Sequence, residues 1–166
     1  MGVSNELSRP NTEDDFEAMC HVLYGLVYQG DFSRMGGQGQ SQFGVDILGQ
    51  ADVKSIGIQC KHYNKTPFTL TTVKADVQKA EVAKLKIDHL LFATTAASNA
   101  IVVKQVSEFN QERIKQGKFS VSVDFWEDIS GHIRLYPQVG RNFIPGFPGS
   151  TILEMQETVD AHFELY

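Results

Sequence analysis

Two ionisable residues belong to short apolar segments in the first half of the sequence, and their types could support metal-assisted chemistry. Asp46 lies between Val45 and Ile47, and Lys61 follows an apolar run that ends at Cys60. A carboxylate in apolar surroundings is costly to bury unless something positive binds it. Mg²⁺ prefers oxygen ligands, and a lysine nearby could stabilise charge that develops on a phosphoryl group. The pair therefore indicates a candidate site, with a structural ion pair as the alternative.

A third candidate, Glu17, lies on the predicted first helix. It follows Phe16 at the flank of the apolar stripe, so its carboxylate could reach over a neighbouring sheet. The alternative is a solvated acid near the start of a helix, where the helix dipole stabilises negative charge. Taken alone, the position of Glu17 favours this second interpretation.

The elements that would position these residues follow from hydrophobic periodicity. Apolar residues at helical spacing predict a first helix over residues 12–28, and the polar, Gly- and Gln-rich segment 30–44 is typical of a loop. Two short apolar runs, 44–49 and 55–61, flank a polar turn and predict a β-hairpin. In such a hairpin the two ionisable side chains can end on the same edge of the sheet.

Helices and strands alternate in the second half of the chain. The predicted elements are a Lys-rich helix capped by Thr71 or Thr72, a strand over 90–94, a helix from Ser98–Asn99 to Gly117, a strand over 119–125 and a helix over 126–136. Strands that alternate with helices imply an α/β fold, a mixed central sheet flanked by helices on both sides.

The chain is long enough for one well-filled core. We expect an N-terminal extension over residues 1–11, one domain over 12–136 and a C-terminal tail over 137–166. From Pro137 the pattern weakens to an extended segment, a possible linker to a further domain, with one more helix expected over 153–165.

The residues around the candidate site resemble a known family. The chain contains Gly44-Val45-Asp46-Ile47 and then Gly57-Ile58-Gln59-Cys60-Lys61-His62-Tyr63, which looks like the core of the PD-(D/E)xK nuclease superfamily. More narrowly, it resembles the Mrr-like branch, in which Gln replaces the second acid and an aromatic residue follows the Lys. In that branch a Phe-Glu pair on the first helix supplies another metal ligand, and Phe16-Glu17 stands in that place.

A downstream segment extends the resemblance over most of residues 12–136. It is Ala93-Thr94-Thr95-Ala96, with Ser98 and Ala100, and it is similar to the strand-to-helix segment of Mrr-like domains. The chain departs from the family pattern in two ways: no Pro precedes Asp46, and Gln59 is neutral, so two carboxylates remain.

The resemblance implies a restriction-endonuclease-like core and a metal-dependent DNA endonuclease that hydrolyses phosphodiesters. Because nothing in the sequence resembles a helix-turn-helix or another base reader, we expect low sequence specificity. The catalytic residues would be Asp46, Gln59, Lys61 and Glu17. The metal, Mg²⁺ or Mn²⁺, would be held by Asp46, Glu17, the Gln59 amide oxygen and the backbone carbonyl of Cys60. Lys61 would hold the attacking water or stabilise charge on the phosphoryl group.

Charge and composition bound the partners. The net charge of −5 argues against a protein that coats nucleic acid through bulk charge, although a local basic surface is compatible with it. The residues expected to contact the backbone of double-stranded DNA are Arg34, His62, Lys65, Lys74 and Lys79. A solvated charged face is the alternative for all of them.

The remaining features concern the setting of the protein. No apolar run approaches the ~20 residues that span a bilayer, so we expect a soluble, cytoplasmic protein without a membrane partner. Cys20 and Cys60 lie in apolar segments and are expected to be buried thiols.

The resemblance implies a role in prokaryotic restriction or antiviral defence, as a homo-oligomer or as part of a larger protein. The alternative is a non-catalytic DNA-binding or assembly module that retains the nuclease fold.

Overall fold

The computed structural model describes residues 6–36, 44–63 and 66–148, and its centre is a five-stranded mixed sheet. The strands, which lie side by side in chain order, are β1 Asp31–Arg34, β2 Ile47–Ala51, β3 Lys54–Lys61, β4 His89–Thr94 and β5 Ser120–Asp124. The helices are α1 Glu13–Tyr28, α2 Leu70–Val82, α3 Ala100–Lys115, α4 Trp126–Leu135 and α5 Pro137–Phe143.

The helices flank the sheet on both faces. Buried residues of α1, α4 and α5 share one apolar cluster with Ile47, Ile58 and Leu91, whereas those of α2 and α3 share another with Leu90 and Phe92. Adjacent residues of β4 thus point into different clusters, as the alternation of side chains along a strand requires. The predicted α/β class, a mixed sheet flanked by helices, is confirmed.

The first helix begins where its capping residue predicts. The Thr12 hydroxyl accepts a hydrogen bond from the Asp15 N–H at 3.0 Å, and three acids occupy the first turn, where the helix dipole favours them. The helix ends at Tyr28, before Gln29 with a positive φ of 52°. This helix matches the predicted one to within a residue.

The hairpin that carries the candidate site is also confirmed. Strands β2 and β3 are antiparallel, with Ile47 opposite Ile58 and Ala51 opposite Lys54, so two residues form the turn. Asp52 adopts the positive φ of 56° that a two-residue hairpin turn requires of its first residue.

One strand lies where we predicted only a loop. Strand β1 pairs antiparallel with β2 and places Phe32 opposite Gly49, where a Cβ would lie 2.2 Å from the Phe32 ring. Phe32 is the only buried residue of β1. The loop prediction over 30–44 was therefore wrong for residues 31–34, because pairing with β2 rather than a local apolar pattern makes this segment a strand.

In the second half, both parallel strand pairs have a helix between their strands, α2 between β3 and β4 and α3 between β4 and β5. The α2 cap was predicted wrongly: the N-cap is Thr69, and the helix already begins at Leu70. The α3 cap is confirmed, since Asn99 Oδ1 accepts hydrogen bonds from the Ile101 and Val102 N–H groups at 2.9 and 3.3 Å.

The segment after α4 is not the extended tail that its prolines predicted. Pro137 begins α5, a position where its missing N–H costs no hydrogen bond. Val139, Ile144 and Phe147 then pack into the same cluster as α1 and α4. The predicted helix over 153–165 lies outside the described residues.

Two further expectations concern thiols and membranes. Cys20 and Cys60 are free and buried in the cluster under α1, as predicted. Within the described part of the chain, no helix combines the length and the apolar character that crossing a membrane requires.

Candidate functional site

The Asp46 side chain lies where the backbone ladder between β2 and β3 ends. The Asp46 N–H still donates to the Ile58 carbonyl at 2.8 Å, but the Asp46 carbonyl accepts from the Met35 N–H at 2.7 Å, on the other side. Asp46 Oδ2 then accepts a 2.7 Å hydrogen bond from the Cys60 N–H. A carboxylate oxygen therefore takes the place of a backbone acceptor, which fixes this side chain at the edge of the sheet, one residue before β2 begins.

The electrostatic surroundings of Asp46 disfavour its ionised form. Burial raises the pKa of Asp46 from 3.8 to about 6, although the hydrogen bond from Cys60 lowers it. Smaller effects come from both sides: the charge of Glu17 on α1 raises this pKa and the charge of Lys61 on β3 lowers it. The charges of both predicted partners therefore affect Asp46, and a bound cation would favour its ionised form.

Glu17 is neither free nor fully solvated. Its Oε1 accepts a 2.9 Å hydrogen bond from Arg34 Nε, and its side chain is 21% exposed. Arg34 also donates through Nη2 to Asp14 Oδ1 at 2.7 Å. Arg34, which we predicted as a DNA contact, thus holds two acids of α1 against β1, and Glu17 would have to exchange this guanidinium for a metal ion to act as a ligand.

Lys61 contacts an acid that we did not predict as part of the site. Its Nζ lies 2.6 Å from Oδ2 of Asp76 on α2, a carboxylate whose side chain is only 4% exposed. This contact has the distance of an ion pair without the angles of a hydrogen bond. The sequence carried a signal: Asp76 is three residues after Val73 and four before Ala80, within the apolar stripe of α2.

The last paired residues of β2 and β3 on this side are Ile47 and Ile58. Continuing the same register places the backbone of Gln59 opposite Asp46. Its side chain is buried, and Oε1 has no hydrogen-bond partner among the described residues. A buried amide oxygen without a partner is costly. This orphaned acceptor fits the predicted role of Gln59 as a neutral ligand.

The predicted metal ligands include only two carboxylates. Within the described ranges, no group of three or more His, Cys, Asp or Glu side chains could hold a metal ion. The predicted set needs only Asp46 and Glu17, supplemented by the Gln59 amide and the Cys60 carbonyl. Mg²⁺ retains several waters and can be bound by one or two carboxylates.

The other predicted DNA contacts are divided between the two faces. Lys74 and Lys79 lie on α2, with Lys74 Nζ 5.5 Å from the centre of the Phe109 ring and Lys79 Nζ 3.4 Å from Asp76 Oδ1. His62 Nε2 lies 3.0 Å from the Pro10 carbonyl oxygen. Lys65 lies outside the described residues.

No protein-family model, no curated protein and no solved structure matches the chain.

Proposed function

We propose that the chain is a metal-dependent DNA endonuclease with a restriction-endonuclease-like core of the Mrr-like branch. The observation that supports this most is the end of the β2–β3 hairpin, which holds both Asp46, a carboxylate whose pKa burial raises to about 6, and Gln59, whose buried amide oxygen lacks a partner. Both groups gain from a hard cation, and Lys61 ends the same hairpin. An anionic ligand set next to a lysine matches the needs of phosphodiester hydrolysis.

The chain's own residues would divide the work as follows. From the hairpin, Asp46, Gln59 and the Cys60 carbonyl would hold the metal. Glu17 would join them from α1 once its ion pair with Arg34 is broken. A bound Mg²⁺ or Mn²⁺ would polarise the phosphoryl oxygen and lower the pKa of a bound water. Lys61, as an ammonium, would hold that water or stabilise negative charge on the phosphoryl group.

The proposed substrate is double-stranded DNA, bound with little sequence preference. Contacts from lysines and arginines to phosphates position a protein on DNA without reading bases. One candidate is Lys79, which shares Asp76 with Lys61, and another is Lys74 on the same helix α2. By resemblance, we assign this activity to restriction or antiviral defence, in a homo-oligomer or a larger protein. We also propose that it takes place in the cytoplasm.

A second candidate is a non-catalytic DNA-binding or assembly module with the same fold. The observation in its favour is that Glu17 and Lys61 both form ion pairs within the chain, with Arg34 and Asp76. Under this alternative the pairs stabilise the fold, and divalent cations neither bind tightly nor permit cleavage.

The test is incubation of the full chain with plasmid and linear DNA in Mg²⁺, Mn²⁺ or EDTA. The nuclease proposal expects cleavage in either metal, none in EDTA, and none by Lys61→Ala in any condition. The matched control is Lys115→Ala, which removes an exposed lysine at the far end of α3 and should leave cleavage unchanged. Cleavage by Lys61→Ala at the wild-type rate, or equal cleavage in EDTA, contradicts the proposal.

A further inference from the structure

Asp76 is a buried acid that apolar packing of the core alone does not explain. It is 3% exposed on α2, among the apolar side chains Val73, Val77 and Ala80. A charge is retained in such a place only when other groups compensate for its lost hydration. The groups that compensate here are two lysines, Lys61 and Lys79.

The two lysines differ in how tightly they hold Asp76. Lys61 Nζ lies 2.6 Å from Oδ2 and its side chain is 23% exposed, whereas Lys79 Nζ lies 3.4 Å from Oδ1 and its side chain is 57% exposed. Because two ammonium groups share one carboxylate, Asp76 does not cancel the positive charge at this place. Positive charge therefore remains for an anion that approaches Lys61.

We infer that Asp76 is a positioning residue, which holds the Lys61 ammonium at the end of β3 for the reaction; this inference rests on the proposed nuclease function. A lysine side chain has a flexible four-carbon stem, so its ammonium needs an anchor to occupy one place. The anchor comes from α2, the helix that follows the hairpin. Asp76 itself touches neither the metal nor the DNA.

The alternative is that the contact only fastens α2 to β3. A purely structural role would lower stability when Asp76 is changed and leave the catalytic step of the folded protein intact. A positioning role predicts instead that kcat falls while KM changes little, because the loss concerns a group that acts in the transition state.

Two variants of the full chain separate these roles. Asp76→Asn removes the charge at constant shape. Asp76→Glu keeps the charge but moves it outward by one methylene, and it serves as the test if Asp76→Asn does not fold. Since a misplacement of about 1 Å can cost about 100-fold in rate, we expect kcat to fall about 10- to 100-fold in both variants, with KM within about threefold of wild type.

The matched control is Glu81→Gln. Glu81 is another acid of α2 that pairs with cations, Arg113 and Lys118, and its loss should affect stability without changing kcat. A folded Asp76→Asn or Asp76→Glu variant with wild-type kcat overturns the inference.

A second measurement observes Lys61 itself and does not depend on cleavage. In ¹H–¹⁵N spectra of lysine ammonium groups, the Lys61 resonance is assigned by its loss in Lys61→Arg. We expect a resolved resonance in the wild type that merges with those of solvated lysines in Asp76→Asn. An unchanged resonance in that variant overturns the inference. If the Lys61 resonance merges with the others in Asp76→Asn as expected, but wild-type protein cuts no DNA, the anchoring of Lys61 is supported and the nuclease proposal fails.

Discussion

Replacement of Asp46 by an uncharged isostere should stabilise the protein in the absence of metal. Burial raises the pKa of Asp46 from 3.8 to about 6, so the folded chain holds the Asp46 proton more tightly than the unfolded chain does. Asp46→Asn removes the ionised form but keeps an oxygen that can accept the Cys60 N–H. The variant therefore isolates the cost of the buried charge.

The size and pH dependence of this effect follow from the two pKa values. A pKa of about 6 against 3.8 corresponds to about 3 kcal/mol of destabilisation once both states are ionised. Because the folded state binds the extra proton between these values, wild-type stability falls relative to the variant as pH rises through this range. The difference should be near its full size at about pH 8 and vanish near pH 3.

The assay is urea unfolding of both proteins in EDTA across this pH range. The control is Asp88→Asn, because the Asp88 carboxylate also accepts a backbone N–H, from Ser55 at 2.8 Å, but is exposed. It should show no gain at high pH. The reasoning is refuted if Asp46→Asn is no more stable than wild type at about pH 8, or if its advantage is the same at pH 3.

Three further predictions concern metal, DNA and the core. Glu17→Gln should slow Mg²⁺-dependent cleavage at least about tenfold with the fold intact, and a wild-type rate at every Mg²⁺ concentration would leave Glu17 as a partner of Arg34 only. Asp46→Ala should bind DNA at least as tightly as wild type in EDTA, measured by fluorescence anisotropy, because it loses a charge that repels phosphate; weaker binding contradicts this. Val139→Ala should lower the free energy of unfolding by about 2 kcal/mol, since Val139 of α5 is fully buried, and no loss would mean that α5 does not stabilise the core.

The sequence was sufficient where local pattern and tertiary structure agree. The amphipathic stripe of α1, the hairpin runs and the Asn99 cap each carry their own signal, and each element was predicted, although β2 begins at Ile47, three residues later than its predicted run. Strand β1 and helix α5 could not be predicted in this way. The first depends on pairing with β2, and the second on packing of Val139 against α1 and α4.

The candidate site divides along the same line. Residue types and spacing indicated Asp46 and Lys61, and the family resemblance added Gln59; the hairpin register brings these three residues to one end of β3. The ion pairs of Glu17 with Arg34 and of Lys61 with Asp76 join residues 17 and 15 positions apart. Such pairs depend on how helices lie on the sheet, which side-chain chemistry alone does not specify. Their roles in cleavage remain predictions.

The most direct test of the central claim is the single-turnover rate of plasmid cleavage by Asp46→Ala in Mg²⁺, at enzyme concentrations that saturate the DNA. Saturation removes any difference in binding, so the rate reports the chemical step alone. We predict that this variant binds the plasmid and does not cut it, while the Lys115→Ala control cuts at the wild-type rate. Cleavage by Asp46→Ala at the wild-type rate, in preparations free of contaminating nucleases, would place the active site elsewhere and contradict the account.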